Sequence, residues 1–101
     1  MADRPILRAA IIGTAKRSDY LYGPLIKNLS DDVELVSVWG RSRASAQRLS
    51  QSLGVPGYTN LEQLVREAAP DIGIVSVSSH ANGEVGLMAV EAGLHVLLET
   101  P

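Results

Sequence analysis

The run Ile6-Leu7-Arg8-Ala9-Ala10-Ile11-Ile12, closed by Gly13-Thr14-Ala15-Lys16-Arg17-Ser18, decides how the rest of the chain is read. It is short and mostly apolar without alternation, the pattern of a strand buried on both faces of a parallel sheet. Gly13 permits a tight turn, and a helix is expected between Ser18 and Leu29, with Pro24 confined to its first turn or to a kink. Asp31-Asp32 then turn the chain into Val33-Glu34-Leu35-Val36-Ser37-Val38-Trp39, a second strand by its β-branched and apolar content. A strand, a crossover helix and a second parallel strand form a unit that binds a mononucleotide. Its first turn takes the phosphate and the end of its second strand takes the ribose.

Working outward, Ser42 is placed to cap a helix from Arg43 to about Leu53, with Ala46, Leu49 and Leu53 on one face and Gly54 as its stop. Tyr58-Thr59 reads as a very short third strand. Asn60-Leu61-Glu62-Gln63 resembles a capping box, opening a helix that turns Leu61, Leu64, Val65 and Ala68 inward and ends at Pro70. Asp71 to Val77 reads as a fourth strand and Ser78 to Gly83 as a polar loop. Glu84 to Ala92 reads as a helix with Val85, Met88 and Ala89 inward, stopped by Gly93. Leu94 to Leu98 reads as a fifth, buried strand in which His95 is structural. The alternation predicts an α/β fold, a Rossmann-type doubly wound parallel sheet of about five strands, in one domain over residues 1–101. The edge beyond Leu98 calls for a sixth strand or a partner chain, so self-association is expected.

The chain has 101 residues, 46% of them hydrophobic, no Cys and a formal net charge of −2. That composition supports one core, excludes a disulfide framework or a Cys-based zinc site, and makes a reducing cytoplasm the expected location. The start, Met1-Ala2-Asp3-Arg4-Pro5, lacks a signal peptide's apolar core, and no segment reaches membrane-spanning length. The mildly acidic balance argues against general nucleic-acid binding.

The candidate site is read from strand ends. Against G-x-G-x-x-G, the first turn keeps Gly13 but has Ala15 and Ser18 at the later glycine positions; Thr14, Lys16 and Arg17 complete a turn whose N–H groups and cations attract phosphate. At the end of the second strand, Gly40 stands where a carboxylate would accept the ribose hydroxyls of NAD. Arg41, Ser42 and Arg43 follow it and offer charge-assisted bonds to a 2′-phosphate, so NADP is the expected cofactor and NAD the alternative. Ser78, Ser79 and His80 lie at the carboxyl edge as cofactor neighbours, and Glu99 is counted with them. No metal-ligand spacing and no nucleophile elbow is present.

Four segments carry a family resemblance: Ala10-Ile11-Ile12-Gly13-Thr14, Val33 to Val38, Gly54 to Leu64, and Ala89 to Pro101. Together they resemble the N-terminal half of the Gfo/Idh/MocA oxidoreductases, the glucose-fructose oxidoreductase and inositol dehydrogenase family. The closing E-A-G-x-H-V-L-x-E-x-P pattern is the most specific. The resemblance implies an NAD(P)-binding domain at the start of a two-domain oxidoreductase acting on a sugar, polyol or related carbonyl or alcohol. It further implies that a missing second domain supplies most catalytic residues, leaving this chain incompetent alone. Thr100 stands where the family's E-K-P motif has its catalytic lysine, and the loop from Ser78 to Glu84 departs from the family's T-P-N-x-x-H stretch. These departures keep open a second reading, a non-catalytic sensor or regulatory module of the same fold.

Overall fold

The computed structural model describes residues 6–15, 18–28, 31–77 and 81–98. Residues 9–12 of β1 (Leu7–Ile12) are fully buried, because apolar layers cover both faces of the sheet they sit in. Ala9 and Ile11 pack with Ile26, Leu49 and Leu53 on one side. Ala10 and Ile12 pack with Leu61, Leu64, Val85 and Ala89 on the other. The two-residue period of a strand thus feeds two cores, and burying Ile11 and Ile12 contributes about 1.5–3 kcal/mol each.

The partners of β1 are β2 (Val33–Trp39) and β4 (Ile72–Val75), with β3 (Gly57–Tyr58) and β5 (His95–Leu98) outside them. The order is β3-β2-β1-β4-β5 and every neighbouring pair is parallel. Helices α1 (Gly23–Asn28) and α2 (Arg43–Leu53) supply the first core, and α3 (Leu61–Ala68) and α4 (Asn82–Glu91) supply the second. This is the expected doubly wound arrangement. None of the described helices is long and apolar enough to cross a membrane.

The cap chemistry holds at three predicted places. Ser42 Oγ accepts from the Ser45 N–H, and the Ser45 side chain returns a contact to the Ser42 N–H. Gly54 closes α2 in the left-handed region at φ 72°. Asn60 Oδ1 accepts from the Gln63 N–H, although the Gln63 amide donates to Glu67 instead of completing the box. At the opposite end of α3, Arg8 donates to the carbonyls of Ala68 and Ala69, satisfying acceptors that a helix terminus leaves over.

Several expectations are corrected. The first crossover is not one helix: a π-helical turn, Ser18–Tyr22, leads into the short α1. Pro24 has no N–H to donate and its ring crowds the carbonyl four residues back, so an α-helix cannot run through it from Ser18. The third strand begins at Gly57, one residue early, because Tyr58 pairs with Trp39 while Thr59 gives its carbonyl to the Trp39 indole at 3.0 Å. Helix α4 starts at Asn82, and its buried stripe is Asn82, Val85, Gly86 and Ala89. Met88 falls off that stripe and is 39% exposed. Strand β5 is not buried: His95 is exposed, as are Leu97 and Leu98. Among the described residues it pairs only with β4, which leaves its other edge open there.

Candidate functional site

Between β1 and β4 the strand order reverses direction, and in open parallel sheets ligands bind at the carboxyl ends around such a point. A cleft of about 220 Å³ lies there, lined by Gly13, Thr14, Ala15, Trp39, Arg41, Val77 and Ala81. Two larger grooves lie elsewhere among the described residues. One, of about 640 Å³, runs between α3 and α4, and the other, of about 480 Å³, lies beside β3 and α2. Size alone favours the grooves. Position favours the cleft, since it collects residues from the ends of β1, β2 and β4 and the start of α4.

Gly13 makes the close approach possible. Its φ is 126°, a conformation L side chains rarely adopt, and a Cβ there would overlap the Ser76 carbonyl oxygen just past β4. The turn is held from both sides: the Gly13 N–H donates to Trp39 at 2.8 Å and the Ala15 N–H to Ser76 at 3.2 Å. Ser18, fully buried, donates its hydroxyl to the Gly13 carbonyl at 2.9 Å and its N–H to Ala15. A serine at the third glycine position therefore locks the turn.

Gly40 is excluded from carrying a side chain for another reason. A Cβ would lie 2.7 Å from the Ala46 N and 2.9 Å from the Ser45 Oγ, both in the first turn of α2. The residues that follow it separate. Arg41 lines the cleft. Ser42 has both its hydroxyl and its N–H engaged in capping α2. Arg43 lines the groove beside β3 with Gln47, Ser50 and Tyr58. In that groove, partial burial and then the Glu67 carboxylate, 3.4 Å from the phenol, push Tyr58 above its ordinary 10.0.

One contributor escaped the sequence reading of the site. Arg48, on α2, reaches back to the Thr14 carbonyl at 3.3 Å and so brings a guanidinium to the phosphate-side turn. In sequence it stands close to Arg41 and Arg43, on the same helix as Arg43. Tyr22 packs against the core formed with α1 and α2. Lys16, Arg17, Ser78, Ser79, His80 and Glu99, with Thr100, lie outside the described residues. Among the described residues no group of His, Cys, Asp or Glu is arranged to hold a metal ion.

A parallel sheet in this order, with a glycine turn at its switch point, defines a dinucleotide-binding Rossmann domain. The oxidoreductase family Gfo/Idh/MocA, in its NAD-binding Rossmann fold, matches residues 7–101, and the chain belongs to that family. D-glucoside 3-dehydrogenase of Escherichia coli is 31% identical over 96 residues, 94% of this chain and 27% of that enzyme. An uncharacterized oxidoreductase of Schizosaccharomyces pombe is 27% identical over 97 residues, 94% of this chain and 26% of the relative. The chain therefore spans about a quarter of the length of the curated relatives it matches. Among solved structures, the 3-ketoreductase KijD10 from Actinomadura kijaniata, in complex with TDP-benzene and NADP, superposes with a TM-score of 0.79 at 23% identity. That match covers 96% of this chain and 30% of KijD10. The WlbA dehydrogenase from Bordetella pertussis, in complex with NADH and UDP-GlcNAcA, gives a TM-score of 0.79 at 18% identity, covering 91% and 28%.

Proposed function

We propose that this chain is the NADP-preferring cofactor-binding domain of an oxidoreductase that acts on an alcohol or carbonyl carbon of a sugar or polyol. The observation that carries the preference is Arg41, a guanidinium in the wall of the cleft beside the Gly13 turn. The strand that leads to it ends in a glycine, with no acid to repel a 2′-phosphate. The nicotinamide supplies the hydride chemistry when bound, and the protein supplies position and charge. In that role the Gly13–Ala15 turn holds the pyrophosphate side, aided by Arg48 through Thr14, and Arg41 holds the adenosine side. Lys16 and Arg17 add charge to the first, and Arg43, by its placement, takes little part in the second. Ser78, Ser79, His80 and Glu99 are kept as further candidate cofactor neighbours.

The neighbours' cofactors divide between NADP and NADH, so the preference rests on this chain's own residues. The sugar class is supported by the name of the Escherichia coli relative and by the sugar-nucleotide ligand of WlbA. Relatives of about four times this length support a second domain that completes the active site, so the chain alone binds cofactor without turnover. The Cys-free composition suits a cytoplasmic setting. One observation favours the second reading, a non-catalytic nucleotide-binding module: Thr100 has neither the cation nor the readily shared proton of a lysine.

Fluorescence titration of NADPH and NADH tests the preference. The native chain is expected to bind NADPH more tightly. Arg41→Ala is expected to weaken NADPH about tenfold while leaving NADH within about twofold, the size of a lost charge-assisted bond. Equal affinities in the native chain would refute the assignment.

A further inference from the structure

We propose that Glu84 sets the strength of cofactor discrimination by competing with the 2′-phosphate for Arg41. This rests on the reading that Arg41 receives that phosphate. The Arg41 guanidinium is already engaged, with a terminal nitrogen 3.3 Å from Oε1 of Glu84. Glu84 lies in the first turn of α4, and Ala81, the residue before that helix, lines the cleft together with Trp39 and Arg41. The ion pair therefore links the cleft residue Arg41, just past β2, to the first turn of α4.

A carboxylate and a phosphate dianion are like charges. A guanidinium fork has donors enough for both, but the two anions repel when gathered around one cation, so binding the phosphate favours breaking the pair. An unphosphorylated ribose makes no such demand on Arg41. The side chains of the pair are 58% and 67% exposed, so the contact is screened and weak. A weak pair of this kind moderates selectivity without abolishing it. Glu84 thus acts on one cofactor and spares the other, a positioning residue working through Arg41.

The test is a cycle of four proteins: the native chain, Glu84→Gln, Arg41→Ala and the double variant, each titrated with NADPH and NADH at one low salt concentration. Glu84→Gln is expected to tighten NADPH about two- to fivefold, the span an exposed ion pair holds, with NADH unchanged. In the Arg41→Ala background the same substitution is expected to change neither. If Arg41→Ala removes the preference but Glu84→Gln leaves NADPH unchanged or weaker, the role of Glu84 is overturned while that of Arg41 stands. Equal tightening of both cofactors, persisting without Arg41, overturns it as a general charge effect. Weakened NADH in Glu84→Gln makes the carboxylate a ribose acceptor and also overturns it. An Arg41→Ala protein that keeps its NADPH affinity removes both readings at once. Circular dichroism and urea midpoints of the four proteins identify any variant whose fold has changed.

Discussion

Gly13 and Gly40 end neighbouring strands at the same edge of the sheet, and different constraints make each of them glycine. At Gly13 the backbone itself requires it: φ is 126° and the Cβ position is filled by the Ser76 carbonyl just past β4. At Gly40 the restriction is spatial only, set by the first turn of the helix that follows. The difference changes what the sequence means. A missing carboxylate at the end of β2 is first of all the result of α2 starting so close to the strand. On the proposed function, choice of cofactor then falls to the next position that has room for a side chain, Arg41.

Substitutions sharpen this contrast. Gly13→Ala has the largest expected effect, a loss on the order of 3 kcal/mol or more, from strained φ and overlap with backbone that cannot withdraw. Urea unfolding measures it, and a loss under about 1 kcal/mol would erase the distinction between the two glycines. Gly40→Asp is expected to cost about 1–3 kcal/mol by pushing back the start of α2. Cofactor titration of that variant is expected to show no switch to NADH, since the new carboxylate is crowded by the helix; a clean switch would mean the site has room for an acid after all. The smallest effect concerns Ser76. Its carbonyl fills the space at Gly13, but its hydroxyl is buried with no partner among the described residues. Ser76→Ala is expected to lie within about 1 kcal/mol of the native stability, on the stabilising side, because a polar group buried without a bond is removed. A clear destabilisation would reveal a partner for that hydroxyl.

What the sequence disclosed depended on range. The apolar run of β1, the helical spacing of Ala46, Leu49 and Leu53, and the caps at Ser42, Gly54 and Asn60 are all local signals, and each matches the structure. The split of the first crossover into a π-helical turn and α1 is signalled in sequence by Pro24, which sits in the first turn of α1, whereas the close approach of Gly23 to Leu53, thirty residues on, has no local signal. Helical spacing alone turns Met88 inward, whereas the buried stripe runs through Gly86, where a Cβ would meet the Leu98 side chain. At the site, the glycine turn and Arg41 could be read from strand ends. Three features could not: Arg48 bonding to Thr14, Arg43 facing another groove, and Arg41 paired with Glu84. Each joins residues distant in sequence, or depends on which way a helix-terminal side chain leaves the backbone.

On the proposed function, an NADP molecule lies across the strand ends with its adenosine phosphate at Arg41. Backbone amide shifts of the isotope-labelled chain on adding NADPH test it directly. Shifts are expected at Gly13, Thr14, Ala15, Arg41, Ser42, Val77 and Ala81, with those at Arg41 and Ser42 much smaller when NADH is added instead. Shifts confined to Asn60, Glu62, Arg66 and Glu91, in the larger groove between α3 and α4, would contradict it.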